Sequence, residues 1–167
     1  MAVRRVLRVP DPKLKETCRP LDADDPEVER VARDLLDTMR SFGHCVGIAA
    51  PQIDELVRLV VVDVSDHPKA PVSNGELILV NPVVASSSGA KVGREGCLSI
   101  PDLTANVRRA THVTVDATTP GGGAVSVASE GFEARCLLHE IDHLDGVLFL
   151  DRVDSLATDV FRRKNYG

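Results

Sequence analysis

The segment 139–143 reads His-Glu-Ile-Asp-His, and it constrains the fold because it forms a metal site only where the chain is helical. On an α-helix, residues i and i+4 lie on one face with Cβ atoms about 5–6 Å apart, so His139 and His143 can bind one divalent cation. Glu140 is turned about 100° away, and it can act on a water beside the metal without being a ligand. The pattern therefore predicts a helix and indicates metal-assisted hydrolysis.

The size and charge of the chain narrow the classes of protein to consider. Its 167 residues and 43% hydrophobic content predict one globular domain over 1–167. The net charge of -5 and the lack of a basic stripe argue against nucleic-acid sequence readout. No apolar run approaches the ~20 residues of a membrane span, and the first residues lack the apolar stretch of a secretory signal. We therefore expect a cytoplasmic protein with no membrane partner.

The cysteines are interpreted in line with the expected cytoplasmic location. With no export signal, metal-binding or catalytic thiols are expected in preference to disulfides. The four cysteines are Cys18, Cys45, Cys97 and Cys136.

Hydrophobic periodicity predicts two main helices. The first spans 26–42, with Asp25 as N-cap and Pro26 in its first turn. The second spans 132–144 and stops before Gly146. A short tail helix is predicted over 154–165.

The other segments predict short antiparallel strands. Residues 45–52 are expected to form an extended loop, and 77–84 a strand whose Pro82 marks an edge or a bulge. The remaining predicted strands are 56–64, 111–118 and 124–128, the last two joined as a hairpin. The expected fold is α+β, with short antiparallel β-sheets packed around a central metal-binding α-helix and a second, N-terminal helix.

The two histidines need a third ligand, because catalytic zinc-type sites usually have three protein ligands and one open position. Downstream of His143 only four aspartates remain, with no Glu or His. Upstream, the segment 95–99 (Glu-Gly-Cys-Leu-Ser) contains Cys97, and a thiolate is a strong ligand for soft or borderline divalent metals. A buried structural cysteine is the alternative interpretation.

Three segments together resemble one family. CVGIAAPQ at 45–52, EGCLS at 95–99 and HEIDHLDG at 139–146 are similar to the three motifs of the peptide deformylases, in the same order. The similarity extends from about Val3 to Asp151. It implies an amide hydrolase that removes the formyl group from the N-terminal formyl-methionine of newly made polypeptides. The implied partner is the nascent chain, and the implied place of action is the ribosome.

The resemblance also implies a cofactor and a set of roles. The metal would be Fe²⁺ in the cell, with Zn²⁺ or Ni²⁺ as substitutes, and it would lower the pKa of its water toward ~7. Glu140 would be the general base. The Gln52 side-chain amide and the Leu98 backbone N–H would donate to the tetrahedral oxyanion. The implied metal ligands are Cys97, His139 and His143.

Substrate contacts are implied by the same resemblance. Gly47 would let the loop backbone pair with the substrate like an added strand, a mode that tolerates varied side chains. An apolar pocket for the methionine would use Ile48, Leu137 and the flank of His139.

Three residues depart from the common family pattern. Cys45 replaces a glycine and would either narrow the substrate groove or simply be tolerated by the loop. Leu138 replaces a glutamine and should face away from the metal. Thr104 stands where many bacterial members carry an arginine. A supporting ion pair between Glu95 and Arg109 is expected by analogy, with a solvated Arg109 as the alternative.

Other functions stay open at this stage. The chain would alternatively be a metal-dependent amidase acting on another N-acyl peptide, or a weakly active paralogue that binds N-terminal peptides. Retention of Glu140 argues against pure binding, which needs no base. The three-ligand set argues against a structural metal domain.

Overall fold

A strand buried on both faces lies at the centre of the computed structural model, which describes residues 2–22 and 24–163. The helices and strands in chain order are α1 (Glu27–Ser41), β1 (Gly47–Ala49), β2 (Leu59–Val62), β3 (Leu77–Ser88), β4 (Lys91–Cys97), β5 (Ile100–Arg109), β6 (His112–Thr118), β7 (Ala124–Glu130), α2 (Gly131–Leu144) and β8 (Val160–Arg162). Short 3₁₀ helices cover Pro12–Lys15, Ala50–Ile53 and Phe149–Arg152.

The central strand is β2, and its unbroken apolar sequence follows from its position between the two helices. Alternate residues of a strand point to opposite faces. Val60 packs in the cluster that contains Leu137 of α2, while Val61 packs in the cluster that contains Leu35 of α1. Because each fully buried side chain of this kind contributes about 1.5–3 kcal/mol, the strand holds α2 firmly in place.

The strands form two antiparallel sheets. The larger has the order β1-β2-β3-β6-β7 and the smaller the order β4-β5-β8. Strands β1 and β4 are therefore edge strands, and a cavity between them is lined by both Gly47 of β1 and Cys97 of β4. Helix α2 supplies the third wall of this cavity.

The helix that forms this wall ends where the sequence predicts. Gly146 adopts φ +71, a left-handed conformation that favours glycine. A Cβ at this position would also collide with the Lys15 carbonyl. Glycine is thus required both by the turn and by the close approach of the N-terminal segment.

Most predicted elements are confirmed. The α+β class, both main helices and the hairpin of β6 and β7 are present. The Asp25 carboxylate accepts a hydrogen bond from the Glu27 N–H at 2.9 Å, at the start of α1. Strand β3 contains a register shift between Val80 and Val83, which confirms the predicted bulge.

Three features differ from the sequence-based expectation. The segment 45–52 contains strand β1, and the hairpin of β4 and β5 was not predicted because glycines and charged residues mask its alternation. The predicted tail helix is wrong: Val160–Arg162 forms β8, since its Val-Phe pair packs along β5. Residues 164 and 165 of that prediction lie outside the described residues.

Two further expectations can be compared with the fold. All four cysteines are free thiols. In the described ranges, no helix combines the length and apolar character needed to cross a membrane.

Candidate metal centre and active site

Helix α2 places two imidazoles beside a thiol at the end of β4. The nitrogens of His139 and His143 and the sulfur of Cys97 lie within 4.8 Å of one another, and all three side chains are buried. The Cys97 Sγ is 3.4 Å from the His143 Nε2. Ligands bound to one tetrahedral metal at about 2.0–2.3 Å are roughly 3.5 Å apart, so this spacing fits a shared cation.

The protonation of the cysteine also fits metal binding. Burial would raise the pKa of Cys97, but the two neighbouring histidines, His143 first, hold it well below its ordinary value. The histidines therefore favour the thiolate, the form that binds metals.

Glu95 orients the first histidine. Its Oε1 lies 2.8 Å from the His139 Nδ1, and because an ionised carboxylate only accepts, Nδ1 carries the proton. Because Nδ1 faces Glu95, Nε2 is the ring nitrogen of His139 that can bind a metal once it has lost its proton. Carboxylates that fix the tautomer of a metal-binding histidine typically have this position.

Two arginines hold Glu95 in turn. Arg109 donates to both of its carboxylate oxygens, at 2.9 and 3.0 Å, and Arg135 donates at 2.8 Å. Burial by itself would raise the pKa of Glu95, but hydrogen bonds from His139 and Arg109 outweigh it and hold that pKa at about 2. The expected Glu95–Arg109 pair is confirmed, and the solvated alternative is wrong because Arg109 is buried.

Glu140 lies at the cavity with an unengaged oxygen. Its Oε1 is buried and has no hydrogen-bond partner among the described residues. Burial raises the pKa of this carboxyl above its ordinary value. A Cβ at position 47 would lie 2.8 Å from the Glu140 Oε2, so Gly47 leaves the space that this carboxylate occupies.

Gln52 is held in one orientation opposite α2. Its Oε1 accepts from the Ala49 N–H at 3.0 Å, which fixes the amide so that Nε2 points toward the thiol. Nε2 donates to the Ser99 Oγ at 3.1 Å and lies 3.5 Å from the Cys97 Sγ. A fixed N–H donor beside the three metal-type ligands can stabilise negative charge that develops there.

The arrangement could hold one metal ion, with a buried carboxylate and a fixed N–H donor beside it, and such a set of groups suits amide hydrolysis. Comparison with known proteins gives the same answer. The family model of polypeptide deformylase matches residues 3–159. The chain belongs to the polypeptide deformylase family.

Individual relatives cover nearly the whole chain. It is 44% identical over 159 residues to the peptide deformylase of Thermomicrobium roseum, covering 95% of this chain and 90% of the relative. It is 42% identical over 165 residues to that of Desulforudis audaxviator, covering 98% and 99%. The structure also resembles the Met-Ala-Ser-bound class I type b peptide deformylase of Acinetobacter baumannii, with a TM-score of 0.83, 34% identity, and 91% and 99% coverage.

The cavity has a volume of about 230 Å³ and brings most of the expected site residues together. Its walls include all the expected catalytic side chains and also Leu98 and Cys45. Burial raises the pKa of the Cys45 thiol to about 12, and its Sγ donates to the Gly47 carbonyl at 3.2 Å. Cys45 is thus a protonated thiol in the wall of the cavity.

The apolar pocket expected from the sequence is corrected at two positions. Ile48 is fully buried against α1, and Leu137 is fully buried against β2; neither lines the cavity. The reason is strand and helix geometry: Ile48 follows Gly47 and therefore points to the opposite face of β1. Its backbone directly follows Gly47, which does line the cavity. Leu138 also stays away from the cavity, as expected.

Sequence reasoning missed three supporting residues. Arg135 precedes His139 by one helical turn, so the i, i+4 spacing was an available signal. Asp142 accepts from the Arg109 Nη1 at 2.6 Å and follows His139 by three positions, another helical spacing. Ser99 had no local signal, because its role comes from Gln52, far away in the chain.

Proposed function

We propose that this chain removes the formyl group from the N-terminal formyl-methionine of newly made polypeptides by metal-dependent hydrolysis. The observation that carries the proposal is the Cys97-His139-His143 cluster beside the unengaged Glu140 carboxylate. Met-Ala-Ser, which is bound in the Acinetobacter baumannii relative, is the peptide that remains when formyl-Met-Ala-Ser loses its formyl group. All these residues belong to one proposed catalytic domain, 1–167.

The metal would be held by Cys97, His139 and His143, and we propose Fe²⁺ in the cell. A thiolate with two imidazoles suits borderline divalent ions, and the choice of iron over Zn²⁺ or Ni²⁺ rests on the family resemblance. Such an ion acts as a Lewis acid and lowers the pKa of bound water toward about 7. Protein prepared without oxygen should contain iron by elemental analysis and lose activity in air; indifference to air would favour zinc or nickel.

Glu140 supplies the base. Its raised pKa brings the carboxyl closer to neutral pH, where a base that gains and then releases a proton works best. The free Oε1 would take a proton from the attacking water and deliver it to the leaving amine of the methionine. The proton balance is closed, because the amine leaves protonated and the second product is formate.

Gln52 and Leu98 would stabilise the oxyanion formed from the formyl oxygen. Gln52 supports this role because Ala49 fixes its amide with Nε2 toward Cys97. Leu98 directly follows Cys97 in the turn between β4 and β5, which puts its N–H next to the same sulfur.

The polypeptide would bind along the open edge of β1. Among the described residues this strand pairs with β2 alone, so its other edge, which includes Gly47 and the Ile48 backbone, is available for main-chain pairing. Reading main chain suits an enzyme whose substrates differ in sequence. We also propose that the enzyme acts on nascent chains in the cytoplasm, at the ribosome.

The test compares formyl-Met-Ala-Ser with acetyl-Met-Ala-Ser, using protein prepared without oxygen. We expect release of formate from the first peptide and little hydrolysis of the second, because the acetyl methyl group needs extra space in a confined site. Equal hydrolysis of both would indicate a broader amidase. Binding without hydrolysis of either would indicate a peptide-binding paralogue.

A further inference from the structure

Three cations line the cavity without an acidic partner among the residues that the structure describes. Lys69, Arg94 and Arg163 all line the cavity, and in the ranges 2–22 and 24–163 none of them forms an ion pair with a carboxylate. Arg135, the other Arg or Lys in the lining, is paired with Glu95. We call Lys69, Arg94 and Arg163 the rim cations. They are notable because the chain as a whole carries a net charge of -5.

Neutral groups hold Arg94 in place. Its Nε donates to the Asn106 Oδ1 at 3.1 Å and its Nη1 to the Thr104 Oγ1 at 3.3 Å, both on the neighbouring strand β5. Its guanidinium carbon lies 4.0 Å from the centre of the Phe161 ring, a cation–π contact. These contacts orient the guanidinium but leave its positive charge uncompensated.

Arg163 reaches the same place from the end of β8. Its backbone N–H donates to the Asp102 carbonyl at 2.8 Å, which extends the pairing of β8 with β5. Its guanidinium lies over Gly96, where a Cβ would collide with Nη2. Because residue 96 is a glycine, the guanidinium of Arg163 fits against the backbone one residue before Cys97.

Lys69 belongs to the opposite wall. Its Nζ lies 5.9 Å from the centre of the Phe132 ring, and the side chain is exposed. A second cavity of about 450 Å³ is lined by Lys69, Arg94, Arg135 and Lys91, with no acidic residue in its lining. The positive potential therefore continues outward from the catalytic cavity.

The distance along β4 sets which part of a substrate meets these charges. Arg94 precedes Cys97 by three residues, about 10 Å in an extended strand. A polypeptide paired with the open edge of β1 lies in the cavity between β1 and β4, so with its formyl group at Cys97 it would present its second or third residue near Arg94. We propose that the rim cations bind a carboxylate on the second or third residue of the formylated polypeptide and make such chains preferred substrates; this rests on the proposed deformylation.

A matched set of peptides tests the preference. Formyl-Met-Ala-Asp and formyl-Met-Ala-Asn, both with amidated C-termini, differ only in charge, as do the corresponding peptides with Asp or Asn second. The value of kcat/KM should be about twofold to fivefold higher for the acidic member at low salt, as expected for exposed charge pairs. The ratio should fall toward one at about 1 M salt, where the screening length is ~3 Å.

A further peptide separates the two sources of a carboxylate. Formyl-Met-Ala-Asn with a free C-terminus carries the charge on the chain end instead of a side chain. A gain with the amidated aspartyl peptides assigns the site to acidic side chains. A gain only with the free C-terminus assigns it to the end of a short peptide. No gain with either overturns the inference.

Variants assign the effect to residues. Arg163→Gln should lower the acidic-to-neutral ratio through KM, and Arg163→Lys should restore part of it, which a merely structural role would not produce. The matched control is Arg162→Gln, because Arg162 is the neighbouring exposed arginine and lines neither cavity. Equal ratios in Arg163→Gln and Arg162→Gln would refute the assignment.

The outcomes also separate the two proposals. If formyl-Met-Ala-Asn amide is not hydrolysed, the proposed function fails. If it is hydrolysed and the wild-type protein treats aspartyl and asparaginyl peptides alike at low salt, deformylation stands and carboxylate recognition fails.

Discussion

The inner wall of the cavity and its rim use the same residue types in opposite ways. In the inner wall, Arg109 and Arg135 are buried and neutralised by Glu95, and through it they position His139. At the rim, Arg94 and Arg163 form no ion pair with a carboxylate of the described residues, and Arg94 is held by neutral side chains. Buried charges must be paired, whereas charges near solvent can stay unpaired and meet a ligand. Whether an arginine is neutralised in the wall or stays free to bind a ligand therefore depends on its burial and on a neighbouring carboxylate, more than on its residue type.

The largest expected effect is at Glu140. Glu140→Gln keeps the size of the side chain but removes the proton acceptor, so deformylation should fall about 10²–10⁴-fold. Metal content by elemental analysis should not change, because Glu140 is not among the clustered ligands. Glu130→Gln, at an exposed position, is the control and should behave like wild type. Turnover near the wild-type rate in Glu140→Gln would remove the assigned base.

The next effect is at Gln52. Gln52→Leu removes the fixed N–H donor, and loss of one oxyanion donor typically costs about 10²–10³ in kcat. The midpoint of thermal unfolding should also fall, because the buried Ala49 N–H loses its acceptor. Leaving such a donor unsatisfied lowers the free energy of unfolding by about 1–3 kcal/mol. Ser99→Ala removes only the neighbouring hydroxyl and should cost much less activity. A Gln52→Leu enzyme with unchanged kcat would exclude the oxyanion role.

Glu95 should have an intermediate effect on activity and a large one on stability. Glu95→Gln weakens the orientation of His139, so metal affinity or activity should fall about 10–100-fold. It also leaves Arg109 and Arg135 with one negative charge fewer, and breaking a buried pair costs about 3–5 kcal/mol. Chemical denaturation and metal titration measure the two effects. The exposed Asp116→Asn is the control; if both variants behaved alike, Glu95 would have no supporting role.

The smallest effect is expected at the rim. Lys69→Gln should lower kcat/KM for aspartyl peptides by about twofold at low salt and hardly at all at high salt, because exposed pairs are weak and screened. Lys13→Gln, which changes an exposed lysine outside both cavities, should have no such effect. A fall in kcat/KM that is equal for every peptide and independent of salt would mean that Lys69 supports the structure. Lys69 would then behave like the arginines of the inner wall and not like a rim cation.

Local pattern predicted the parts of the site that lie on one element. The i, i+4 spacing of His139 and His143 needs only a helix, and the same spacing would have revealed Arg135. Cys97 became a candidate through its motif, not through geometry, because no local rule says that the end of β4 meets α2. Ile48 was wrongly expected in the cavity wall for a different reason: 45–52 was predicted as a loop, so the strand alternation that turns Ile48 away from the side of Gly47 was not applied.

The sequence by itself determined the helix that carries His139 and His143, the position of Glu140 on it and the α+β class, because periodicity and side-chain chemistry act over a few residues. Only the tertiary structure decided which distant residues surround them. It brought Cys97, Gln52 and Glu95 to α2, and it turned the predicted tail helix into a strand that carries Arg163 to the cavity mouth. Such contacts depend on the pairing of strands far apart in the chain, which no local pattern encodes.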